Sequence, residues 1–125
     1  MAMLNPYQQY QNNQVNTATP GELTLLLYNG AVKFCKQAIQ ANEEEDIQKT
    51  NLFIQKVQAI ITELTVTLDT SFEVGQNLAQ VYDYINYRLL EANINKSTEM
   101  LIEACGMLEE LRDTWAEAIK LAKQQ

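Results

Sequence analysis

TPGELTLLLYNGAVKFCKQAI, residues 19–39, has the start of a helix and more apolar side chains than one core-facing stripe needs. Thr19 is placed to cap. Pro20 suits the first helical position, where its missing N–H would have had no partner, and Glu22 falls where a capping box wants an acid. At about 100° per residue, Leu23, Leu25, Leu27, Tyr28, Ala31, Val32, Phe34, Cys35, Ala38 and Ile39 sweep an arc of roughly 200°. Asn29, Lys33, Lys36, Gln37 and Gln40 hold the remainder. A simple surface helix needs little more than half that arc, so this helix should be flanked on both sides.

The rest of the chain offers matching helices. Ile47, Ile54, Val57, Ile61, Leu64 and Leu68 recur at three- and four-residue steps, with Phe53 and Ile60 on the flank. Asp69, Thr70 and Ser71 offer capping oxygens and Gly75 loosens the chain before a seam of Leu78, Val81, Tyr82, Ile85, Leu89 and Ala92. Asn95 or Ser97 can cap a last seam of Leu101, Ala104, Cys105, Leu108, Leu111, Trp115, Ala118, Ile119 and Ala122. The expectation is an all-α fold, an antiparallel up-down-up-down four-helix bundle over residues 19–125, with helices at about 20–41, 46–68, 73–93 and 96–122. Residues 1–18 form a separate arm, rich in Gln and Asn, with Leu4, Tyr7 and Tyr10 at three-residue spacing. Too short to be stable alone, this arm should order only by docking on the bundle as a cap. It is also a candidate for self-association.

Composition narrows the function. A chain of 125 residues suits one hydrophobic core. Its net charge of −7 opposes binding to nucleic acid or anionic lipid, so a partner should be neutral or basic. No apolar run is long enough for membrane insertion, and the opening residues lack the pattern of a secretory signal, so a soluble cytoplasmic protein is expected. The two cysteines, Cys35 and Cys105, fall on apolar helical faces and read as small hydrophobes. Histidine is absent, which excludes a phosphotransfer histidine and the Glu-x-x-His di-iron site of helical bundles. The acidic run 43–46 reads as a solvated turn before the next helix. Neither an enzyme, a metal site nor a cofactor is expected.

What remains is surface. Tyr87, Leu90 and Ile94 form a second stripe on the third helix, off the core seam, with Tyr84 to one side. The second helix turns Leu52, Gln55, Ala59, Thr62 and Val66 outward, an almost uncharged strip. Continuous apolar surface of this kind marks a binding site, and helix-in-groove recognition is the mode it favours. Leu52, Ala59, Val66, Tyr84, Tyr87, Leu90 and Ile94 are the candidate partner-binding residues. Tyr82, Ile85 and Leu89 read as core. Asp83 and Arg88 either pair with neighbours or orient a partner.

Three stretches, VNTATPGELTLLLYNGAVKF, VYDYINYRLLEANI and LEELRDTWAEA, resemble in order and spacing the flagellar secretion chaperones of the FliS family. The resemblance spans essentially the whole chain. Asn29 stands where that family often has Asp, and the turn at residues 69–77 is shorter and less glycine-rich. The resemblance implies a client, flagellin, whose disordered C-terminal segment wraps the chaperone as short helices. It implies that the client is thereby kept from premature polymerisation and delivered to the flagellar export apparatus. It also implies an N-terminal segment able to occupy part of the client groove, which suits the arm bearing Leu4, Tyr7 and Tyr10. The alternative is a generic helical interaction module, or a homodimeric regulator that buries the same strips against itself.

Overall fold

The computed structural model describes residues 19–124. It contains four helices, α1 (Pro20–Glu43), α2 (Ile47–Val66), α3 (Glu73–Asn95) and α4 (Thr98–Lys123), and no strand among the described residues. Each packs against two others, α1 and α3 both lying between α2 and α4, which closes the antiparallel four-helix bundle. The arm and its Leu4, Tyr7 and Tyr10 lie outside the described residues.

The start of α1 follows from its sequence. Thr19 Oγ1 accepts from the Glu22 N–H at 3.2 Å, and Pro20 opens the helix. Asp46 caps α2 by accepting from the Lys49 N–H at 3.0 Å, and Ser97 caps α4 by accepting from the Met100 N–H at 3.2 Å. Helix α3 begins at the expected residue 73, but its capping differs from expectation. Phe72 is its N-cap residue and makes no side-chain capping bond. The Asp69 carboxylate instead accepts from the backbone N–H and hydroxyl of Ser71, so it shapes the turn. Gly75 does not loosen the chain either: it is buried, and a Cβ there would come within 2.0 Å of the Asp69 carbonyl. Its lack of a side chain lets the loop lie against α3.

The core interdigitates all four seams: Tyr28, Val32 and Cys35 from α1, Ile54, Val57 and Ile61 from α2, Tyr82, Ile85 and Leu89 from α3, and Leu101, Cys105 and Leu108 from α4. The hydroxyls of Tyr28 and Tyr82 hydrogen-bond to each other inside it. Burial holds both phenols above their ordinary range, so they stay protonated. The Cys35 thiol is likewise held up, by its neighbour Cys105 and by burial, and both cysteines are free.

Three seam assignments are corrected. Ile47 is 67% exposed, because it sits on the outer side of the first turn of α2. Thr50 takes the buried place, its hydroxyl donating to the Asp46 carbonyl at 2.7 Å. Ala118 and Ala122 are exposed. Beyond Trp115, α4 is held by the first turn of α1, with Ile119 facing Gly21 and Lys123 paired to Glu22 at 3.1 Å, and the helix periodicity outruns the packing. Helix α2 stops at Val66, and Leu68 packs on the core from the turn that follows.

The two ends of the bundle are built differently. At one end the connections are short, and Asn42 Nδ2 of α1 donates to the Lys96 carbonyl (2.9 Å) and to Thr98 Oγ1 (2.8 Å) in the α3–α4 turn. Lys96 itself is left-handed, with φ of 49°. Close by, Asn93 Nδ2 of α3 donates to Asn51 Oδ1 of α2 at 2.7 Å. At the other end lies the longer α2–α3 connection.

Candidate partner-binding groove

The seam between α2 and α3 is the most open of the four. It holds two adjoining depressions. One, of about 570 Å³, is lined by Gln58 of α2 and by Tyr84, Tyr87 and Leu90 of α3 together with Gln80, Asp83 and Asn86. The other, of about 410 Å³, adds Thr62, Thr65 and Val66 of α2 and Ala79 of α3. Gln80, Asp83 and Asn86 line both, so the two form one groove along the bundle. The Asn51–Asn93 bond crosses between the same two helices beyond Leu90.

Of the seven candidate residues, Tyr84, Tyr87, Leu90 and Val66 lie in this groove. Leu90 is half-exposed, and Val66 is 78% exposed at the far end. Leu52, Ala59 and Ile94 do not line it. Leu52 and Ala59 are exposed on the outer face of α2, and Ile94, 73% exposed, stands at the end of α3 beside the Asn51–Asn93 clasp.

The groove is almost uncharged for a local reason. Thr62 and Thr65 turn their hydroxyls back to the Gln58 and Ile61 carbonyls of their own helix, at 3.0 and 2.8 Å. Threonine at i−4 spacing does this readily and then shows its methyl outward. Arg88 is directed to the α3–α4 side, where it pairs with Glu103 at 2.5 Å and with Glu91 at 3.3 Å. The Tyr84 hydroxyl donates to the same Glu103 at 3.1 Å. The Arg88 guanidinium, with the Tyr84 hydroxyl, holds the Glu103 carboxyl below the usual carboxylate range. Asp83 remains as the groove's own charge and makes no ion pair among the described residues.

A second recess, of about 420 Å³, opens at the end of the bundle where the chain enters at Pro20. Leu23 and Leu27 of α1, Leu68 and Phe72 of the α2–α3 connection, Leu78 of α3 and Trp115 of α4 form its apolar walls over Tyr28 and Tyr82. Phe72 and Val74 on its rim are 65% and 71% exposed. The excess apolar arc of α1 meets this recess. Phe72 and Val74 were not among the sequence candidates; an apolar pair either side of Glu73, after the polar run Asp69-Thr70-Ser71, was the signal available.

Among the described residues, no group of three His, Cys, Asp or Glu is placed to hold a metal ion, and no helix is long and apolar enough to cross a membrane. The family model described as "Flagellar protein FliS" matches residues 3–122. The chain belongs to the FliS family. The flagellar secretion chaperone FliS of Bacillus subtilis (strain 168) is 48% identical over 120 residues, covering 96% of this chain and 90% of that one. The flagellar secretion chaperone FliSB of Pseudomonas aeruginosa is 35% identical over 118 residues, covering 92% and 94%. A crystal structure of a bacterial flagellar chaperone superposes with a TM-score of 0.74, covering 91% of this chain and 94% of its own, at 18% identity, a likeness of fold. FliS relatives are thus chaperones by name, and the groove described above lies on a FliS bundle.

Proposed function

We propose that this protein is a cytoplasmic, non-enzymatic export chaperone that binds the disordered C-terminal segment of flagellin. The bound segment is held back from premature polymerisation and handed to a component of the flagellar export apparatus. The observation that supports this most is the α2–α3 groove, apolar at both ends and nearly uncharged, on a chain of net charge −7. An amphipathic helix laid into it covers Tyr87, Leu90 and Val66. Ordering such a segment costs roughly 2 to 5 kcal/mol of the gross interaction energy, so a long wrapped interface, running onto Leu52, Ala59 and Ile94, suits tight binding. No cofactor is needed, because release follows from competition at the export gate.

The end recess completes the scheme. In the free protein the arm covers it with Leu4, Tyr7 and Tyr10, and a client segment that uses the recess displaces the arm. Both the recess's apolar walls and its position where the chain enters at Pro20 favour this occupant.

Calorimetric titration with the C-terminal segment of the cognate flagellin tests the reading. A saturable complex that Leu90→Glu weakens is expected. Absence of binding, or a stable homodimer at low concentration in sedimentation that buries Tyr87, Leu90 and Ile94, overturns it.

A further inference from the structure

The floor of the α2–α3 groove is polar at its midpoint. Gln58 of α2 and Gln80, Asp83 and Asn86 of α3 meet there, between Tyr87 and Leu90 toward one end and Val66 and Ala79 toward the other. The two threonines of the same floor bond to their own helix. The four other polar side chains make no hydrogen bond or ion pair among the described residues. Most telling is Asn86, whose Oδ1 is sealed from solvent with no donor in reach. Buried acceptors are almost always paired, and an unpaired one is a liability in the free protein that an arriving donor removes.

We propose that the midpoint of the groove reads a hydrogen-bond donor. Asn86, with Asp83 one helical turn before it, accepts from an amide or cationic side chain that the bound helix carries between two apolar anchors. The donor is a side chain because a helical occupant uses its backbone N–H groups internally beyond the first turn. Asn86 lines both depressions and is only half-buried, so a change of its side-chain rotamer carries the whole amide, Oδ1 included, toward the groove without a change in α3. The apolar ends supply affinity. The centre supplies register, because a helix shifted by one turn sets an apolar side chain against Asn86 and Asp83 and leaves both unpaired. Asn86 is therefore a specificity-determining residue, an inference that rests on the groove being the seat of the flagellin segment.

The test uses the full chain and the C-terminal segment of the cognate flagellin, comparing wild type, Asn86→Leu, Asn86→Asp and Leu90→Glu by calorimetry and melting. Asn86→Leu removes the unpaired acceptor, so the free protein should melt at the same temperature or higher while client binding weakens about tenfold. A merely structural asparagine does not produce that pair of opposite effects. Replacing the client's donor side chain should weaken binding to wild type and add no further loss to Asn86→Leu, the signature of direct coupling. Asn86→Asp separates the donors: salt-sensitive tightening marks a cation, and salt-insensitive binding near wild type marks an amide. Binding by Asn86→Leu within twofold of wild type overturns the proposal. If Leu90→Glu still weakens binding, the groove stands and only the donor falls; if neither change weakens binding, both fall.

Discussion

Trp115 near the end of α4 donates its indole N–H to the carbonyl of Gly21 in the first turn of α1, at 2.9 Å. Its ring lies 6.4 Å from that of Tyr28 and forms one wall of the end recess. One side chain thus joins the first helix to the last and shapes the recess between them. Trp115→Ala should cost about 3 to 5 kcal/mol, the range for emptying a large aromatic site. Trp115→Phe keeps much of the volume and loses the bond, and should cost about 1 kcal/mol. Chemical denaturation of the three proteins checks both figures, and equal stability of Trp115→Ala and wild type would reject the assignment.

Leu90 is half-exposed inside the groove, so a charge there leaves the fold intact and enters a desolvated contact on binding. Leu90→Glu should weaken client binding by at least about 1 kcal/mol with unchanged melting. Ile94→Glu should act in the same direction and less, since Ile94 stands beyond the clasp of Asn51 and Asn93. A matched loss of helicity in either variant would place that residue in the core.

How far these positions were legible in the sequence follows from what each depends on. Thr19 and Ser97 announce their helices because capping is a contact over three residues, whereas Asp46, which caps α2 in the same way, is hidden in the acidic run 43–46. The seams of Ile54 to Leu64 and Tyr82 to Ala92 follow from helical spacing. Spacing does not say where a neighbour ends, so Ile47, Ala118 and Ala122 continue a pattern that the bundle does not cover. It also does not separate the groove residues Tyr87 and Leu90 from Ile94 on the same stripe. Asn86 carries no signal in one dimension: its unpaired oxygen depends on which side chains the opposite helix fails to bring.

Glu103 gives a pH prediction. Its carboxyl is held below the ordinary value of 4.5, first by Arg88 and then by the Tyr84 hydroxyl, so the folded state binds this proton less readily than the unfolded chain. Stability from this group is present above the ordinary value and lost as pH falls through the lowered one. Melting of wild type between pH 5 and the acid limb, compared with Glu103→Gln, should show a difference at pH 5 that shrinks toward lower pH. The group is exposed, so the difference should also shrink with added salt. A gap that widens on acidification would contradict the pairing.

The arm is tested by its removal. A chain beginning at Asn16 should self-associate more readily, because the recess walled by Leu27, Phe72 and Trp115 is left open. A client segment that must displace the arm should bind the shortened chain at least as tightly. Calorimetry at concentrations where both proteins are monomeric decides, and clearly weaker binding after truncation would sink the competing-cap idea.

The unequal ends of the bundle give the α2–α3 seam a gradient of local stability. Where Asn42 clamps the α3–α4 turn and Asn93 ties to Asn51, opening any one helix breaks bonds to another. At the opposite end Trp115 and Lys123 tie α4 to the first turn of α1, but the turn before α3 lies over a recess rather than a filled core, so within the α2–α3 seam the cost of fraying is smaller at this end. The groove is in effect a peg with its spring at Asn51 and Asn93 and its jaws at Val66 and Ala79. Any adjustment of width on binding should therefore fall at the jaws, with the spring end keeping the two helices in register.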